Sequence, residues 1–227
     1  MAVFFSEATF LFLSQLAENN SRDWFQEHKQ QYEDAVRTPA LAFIEAMGPR
    51  LAEYAPHFTA DARKMGGSLM RVYRDTRFSR DKTPYKTNIG IQFRHELGKD
   101  VHAPGFYVHI STSSVFVGVG IWHPPSDALA KLRQTIDEQP DEWMAARDDA
   151  GFRRWFALSG DSLKRPPRGF SLDHPLIEDI KRKDFIAISD LAPVLVEQDD
   201  FDQIVGDYFV AALPLMRFLC KGLRIPF

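Results

Sequence analysis

The sequence predicts an α+β fold: N-terminal helices, a central, mainly antiparallel sheet of about four strands, and C-terminal helices. Two observations predict it. Apolar residues recur at helical spacing up to Leu51 and again after Pro125, while between Leu69 and Ile121 the period changes to two. The strand-like stretches also follow one another through short turns, which suits antiparallel rather than parallel pairing.

Taken in order, Ser6 is a suitable cap for a first helix, with Phe10, Leu13, Leu16 and Ala17 on one face and Asn19-Asn20 at its end. Ser21 caps a second, in which Trp24, Phe25, His28, Tyr32 and Val36 recur at helical spacing. Thr38-Pro39 starts a third, with Leu41, Ile44, Met47 and Leu51 as its stripe. Pro56 and Gly66-Gly67 bracket a connection. Residues 69–78 read as the first strand. Ile89, Ile91 and Phe93, then Phe106, Val108 and Ile110, then Val115, Val117, Val119 and Ile121, each alternate with polar, aromatic or glycine positions. Residues 111–114, STSS, read as a hairpin turn. Ser126 opens a helix carrying Leu129, Leu132 and Ile136, and Pro140 opens another with Trp143, Phe152, Trp155 and Phe156 beyond it. A loop over 164–170, a short helix after His174-Pro175 and a short strand at Phe185–Ile188 follow. The last helix carries the stripe from Phe201 to Leu219, with a kink expected at Pro214.

A length of 227 residues without repeats, low-complexity tracts or an evident linker points to one domain over 1–227. Cys220 is the single cysteine, which excludes an internal disulfide framework and suits a reducing, cytoplasmic setting. No apolar run reaches membrane-span length, and the opening MAVFFSEATF has neither the positive start nor the apolar core of a signal peptide, so no membrane partner is expected. Asn19-Asn20-Ser21 matches a glycosylation acceptor only formally.

Charge is distributed unevenly. Residues 63–94 hold nine Lys and Arg against Asp75 and Asp81, a local balance of +7 in a chain whose formal charge is −3. A basic island in an acidic protein points to an anion. Arg71, Arg74, Arg77, Lys82 and Lys86 are the candidate anion ligands, because guanidinium forks and ammonium groups match carboxylate and phosphate oxygens. As a strand, 69–78 would set Arg71, Tyr73, Asp75 and Arg77 on one face, so Asp75 would organise the arginines or act as a base. The polar face of the sheet adds Gln92, Tyr107, His109, Phe116 and Trp122 around Gly118 and Gly120, a hollow suited to a flat ring. His109 is a candidate acid–base residue or a satisfied sheet histidine. Convergence of island and hollow would give one pocket, with Tyr85, Tyr107 and Trp122 as walls. Standard nucleotide-loop, hydrolase and metal motifs are absent, so no metal ligand is assigned and the cofactor stays unknown.

The stretch Arg71, Arg74, Asp75, Arg77, Phe78, Asp81, Lys82, Pro84, Tyr85 fits RxxRDxRFxxDKxPY. With LAENNSRDWFQEHKQQYE (16–33), PGFYVHIS (104–111), FVGVGIWHP (116–124), LKRPPRGF (163–170) and DHPLIEDIKRKDF (173–185), it resembles the bacterial conserved hypothetical proteins of domain of unknown function family 2461. The resemblance implies no activity. It marks Asn20, Arg22, Trp24, Tyr107 and Arg165 as family-motif positions beside the island. The leading expectation is a pocket for a phosphorylated or otherwise anionic small molecule or nucleotide, with catalysis left open. A nucleic-acid-binding module, in which Tyr73, Phe78 and Tyr85 stack, is the alternative. A structural or protein-interaction domain with an internal Arg/Asp network is a third.

Overall fold

Ser6 begins the first helix: its N–H donates to Thr9 Oγ1 at 3.2 Å, and α1 runs Glu7–Glu18 in the computed structural model. Residues 3–98 and 102–227 are described; Met1 and Ala2, which open the stretch read for a leader, lie outside them. The buried stripe of α1 is Phe12, Leu13 and Leu16, whereas Ala17, expected on it, is exposed. Ser21 caps α2 (Arg22–Glu27), its Oγ accepting from the Trp24 N–H at 3.3 Å. The chain turns at His28 into α3 (Lys29–Tyr32). A widened π turn over Glu33–Arg37 then leads without a stop into α4 (Thr38–Tyr54). The expected boundary at Thr38-Pro39 is therefore continuous. Pro39 lacks an N–H and falls in the first turn of α4, where the widened turn accommodates the missing bond.

Strands β1 (Asn88–Arg94), β2 (Gly105–Ser111) and β3 (Val115–Ile121) form where the period of two predicts them. Helices α5 (Ser126–Glu138), α6 (Pro140–Arg147) and α7 (Ala150–Trp155) follow. Next come β4 (Ala157–Ser159), α8 (Ile177–Ile180) and β5 (Phe185–Asp190). The sheet has five strands in the order β1-β2-β3-β5-β4, and every pairing is antiparallel. Its composition corrects the expected set in two places. Residues 69–78 form no strand. β4, which was not expected, has only three residues and so shows no period.

One face of this sheet is the core. Phe93 meets Phe43 of α4, and Phe106 lies 4.6 Å between centroids from Phe209. Phe209 belongs to α9 (Phe201–Ala211), which with α10 (Leu213–Leu223) replaces the single expected last helix. The two axes bend by 57°. Pro214 sits in the first turn of α10 and cannot donate the bond that would extend α9, so the expected kink is a full break. Among the described residues no single helix is long and apolar enough to cross a membrane.

Candidate functional site

The stretch 68–74 runs antiparallel to 84–92 but pairs with it in two separate registers. Met70 N–H donates to Gly90 O and Gln92 N–H to Ser68 O; further along, Arg74 N–H donates to Pro84 O and Lys86 N–H to Val72 O, all within 2.7–2.9 Å. Leu69 bridges Ile91 and Tyr73 bridges Tyr85, so four steps on one side face six on the other. The two extra residues are absorbed around Lys86, Thr87 and Asn88. This bulge interrupts the ladder, which is why 69–78 is an arm and not a strand, and it re-aims the bulged side chains. Beyond Arg74 the chain leaves the pairing altogether and closes a loop over 75–83.

Asn20 fastens the stretch opposite the arm to the N-terminal helices. Its Nδ2 donates to Tyr85 O and its Oδ1 accepts from Tyr85 N–H, both at 3.0 Å. The Tyr85 ring stacks on Phe25 at 4.1 Å and is 2% exposed, so it supports the arm from inside the core.

Between these parts lies a pocket of about 420 Å³, lined by Asn20, Arg74, Asp81, Thr83, Lys86 and Asn88 among others. Arg74 Nη1 donates to Asp81 Oδ2 and to Thr83 Oγ1, while its Nε and Nη2 carry no hydrogen bond among the described residues. Asp81 also accepts from the Thr83 N–H and Oγ1, each at 2.9 Å, and its carboxyl is held down to about 2, chiefly by Arg74. Lys86 is different. Among the described residues it makes no side-chain hydrogen bond or ion pair, and burial, with the nearby Arg71 charge, pushes its ammonium below the ordinary lysine range.

The loop tip is self-contained. Arg77 Nε and Nη2 grip Asp75 at 3.0 and 2.7 Å, which lowers the Asp75 carboxyl to about 2. That supports the organiser role over the base role: a carboxylate so held takes up no proton near neutrality. Arg71 adds weakly to the same field, although 69–78 is not the strand whose single face was expected to carry Arg71, Asp75 and Arg77. Lys82 Nζ caps Thr76 O at 2.8 Å. Phe78 is 96% exposed, with the Arg77 guanidinium 5.9 Å from its ring centre.

The uncovered face of the sheet carries a second hollow, of about 390 Å³, lined by Met70, Gln92, Tyr107, Phe116, Trp122, Ile186 and Ile188 over Gly118 and Gly120. Gly120 is required there: its φ is 109° and an added Cβ would lie 2.0 Å from Phe185 O. His109 stacks on Phe116 at 4.6 Å, and its Nδ1 lies 3.3 Å from Tyr107 Oη and 3.5 Å from Asn88 Nδ2. Burial depresses the His109 imidazole below its ordinary 6.5 and raises the Tyr107 phenol to about 12, so both are neutral at pH 7.

The single pocket expected from the sequence is thus two compartments. No charged side chain of the island lines the hollow at Gly118 and Gly120; Met70 is the arm's contribution to it. Asn88 and His109 join the compartments side by side. Arg74, Lys86 and Tyr85 line the cationic one, Tyr107 and Trp122 the apolar one, and Arg71, Asp75, Arg77 and Lys82 line neither. Sequence reasoning missed His123 and Asp184, a rim pair at the end of β3; the WHP of FVGVGIWHP was the available signal. Among the described residues no group of three or more His, Cys, Asp or Glu is placed to hold a metal.

No curated protein and no solved structure matches the chain. A family model described as "Conserved hypothetical protein (DUF2461)" matches residues 8–218, which contain both compartments and the whole arm. The chain belongs to the DUF2461 family.

Proposed function

We propose that the chain binds a small anionic ligand, a phosphorylated molecule or nucleotide, in the pocket walled by Lys86 and Arg74. Lys86 carries the reading: a half-buried ammonium with no carboxylate partner among the described residues, facing a cavity beside a second cation. Removing a charge from water without a partner is costly, and a bound anion offsets that cost. Arg74, already oriented by Asp81 and Thr83, offers Nε and Nη2 to the same anion. The test is calorimetric titration of wild type and Lys86→Gln with inorganic phosphate, nucleoside monophosphates and hexose phosphates. The expected result is saturable binding weakened about tenfold or more in the variant, the loss of one charge-assisted bond. Absence of binding by any of the three, or equal affinity in Lys86→Gln, sinks the reading.

A second reading, nucleic-acid binding, is favoured by Phe78, which stands out between Arg77 and Arg80 at the loop tip. A ring for stacking flanked by cations for phosphates is the arrangement single strands use. Its signature would be oligonucleotide binding that falls steeply with salt and is lost in Phe78→Ala. On the single, buried Cys220 we further place the chain in a reducing, cytoplasmic compartment.

A further inference from the structure

A second cluster of polar groups lies at the opposite end of the open sheet face. His123, two residues after β3, has φ 48°. That region is uncommon for a residue with a Cβ and persists only where surrounding contacts enforce it. Asp184 enforces it. Its side chain is 2% exposed, and its Oδ1 accepts from the His123 N–H at 2.7 Å and lies 2.9 Å from His123 Nδ1. Oδ2 accepts from the Asp161 N–H at 2.9 Å. Gly160 (φ 97°) lets that loop approach, since a Cβ there would sit 2.5 Å from Asp184 Cβ.

Among the ion pairs of the described residues, Asp184 has no lysine or arginine; the His123 imidazole is its one partner. Nδ1–H therefore donates to the carboxylate, and Nε2 of the neutral ring is left as an acceptor. The His123 side chain is 50% exposed, and its ring stacks at 4.1 Å on Trp122, a wall of the hollow. A buried carboxylate fixing the tautomer of an exposed imidazole beside a cavity is the base-and-orienter half of a hydrolytic triad. The hollow itself offers rings, aliphatic side chains and the Gln92 amide, with no charged side chain, which selects a flat, uncharged ligand.

We propose that His123 is a general base at the rim of the hollow, with Asp184 as its positioning residue, acting on a neutral aryl ester seated in the hollow beside Trp122. Nε2 takes a proton from water as the water oxygen bonds to the ester carbonyl carbon. The bond to the aryloxy group then breaks, and the proton on Nε2 passes to that leaving oxygen. Ester and water give acid and phenol, and the imidazole returns neutral.

The test uses the full chain with 4-nitrophenyl acetate as the neutral aryl ester. Wild type is expected to hydrolyse it with saturation, and His123→Gln to lower kcat/KM by about 100-fold or more, the usual scale of general-base assistance. Asp184→Asn is expected to lower kcat with KM within about twofold, because a wrong tautomer leaves binding intact. Since Asp184→Asn also removes an acceptor from two backbone groups, its folding is checked by circular dichroism. A readout on unaltered protein stands beside it: diethyl pyrocarbonate, followed by mass spectrometry, should acylate His123 faster than His57, whose partner Glu96 is exposed. His57→Gln should leave the ester rate unchanged. Hydrolysis no faster in wild type than in His123→Gln, or acylation of His123 no faster than of His57, overturns the proposal.

Discussion

The two faces of one sheet differ more than any two elements of the molecule. On the covered face, Ile91, Phe93, Phe106, Val108 and Ile110 are fully buried against helices. On the other face, the intervening positions of the same strands are Gly90, Gln92, Tyr107, His109, Gly118 and Gly120. Residues one step apart thus serve stability and recognition respectively, because successive side chains point to opposite sides. The contrast teaches that the open face is not a weakened copy of the core. It is kept hollow by residue choice while the covered face supplies the stability that permits it.

Substitutions can break or sharpen this contrast. The largest effect is expected on the covered face: Phe106→Ala should cost about 3–5 kcal/mol in denaturant unfolding, since Phe58 and Phe209 cannot collapse into the space of a lost ring. A loss under about 1 kcal/mol would show that the covered face is not the core. Next is Gly120→Ala on the open face, expected to cost about 2 kcal/mol or more, because the new Cβ meets backbone and the φ is left-handed.

A smaller, pH-dependent effect belongs to His109. The unfolded chain takes up the imidazole proton near 6.5 and the folded chain only at lower pH, because burial disfavours the charge. The stability linked to this group is therefore fully present above about pH 6.5 and is lost as pH falls through the folded value. His109→Phe should flatten that decline in unfolding midpoints recorded between about pH 8 and pH 5; an unchanged slope would assign the titration elsewhere. The smallest effect is expected for Gly118→Ala, within about 0.5 kcal/mol, because the nearest atoms to the added Cβ are 3.7 Å away on Tyr107. Together the two glycine variants separate a glycine that backbone geometry demands from one that only leaves room.

The division between faces was legible in the sequence, since Ile89, Ile91 and Phe93 announce their own side by alternation. The arm was misread for the same reason: Met70 and Val72 alternate too, and only the mismatch of two registers, which involves residues 84–92, breaks the strand. Asp75 and Arg77 also satisfy each other two residues apart, so the loop needs no partner strand. Lys86 could be named as basic but not singled out, because its isolation depends on where Asp75 and Asp81 turn. The rim pair was least accessible. His123 and Asp184 lie 61 residues apart, as Asn20 and Tyr85 lie 65 apart, and no local pattern links either pair.

The short β4 and the seat of Leu69 against Ile91 have a consequence for how another chain can approach. One border of the sheet offers only three residues of backbone, and along the other the Gln92 N–H and Gly90 C=O are already bonded to the arm. The β1 edge is thus already occupied and β4 is short, so neither of these strands presents a long bare edge of the kind a foreign segment extends. Any peptide recognised by this protein must then be read through side chains, and its selectivity would follow the chemistry of individual residues instead of a generic main-chain zipper.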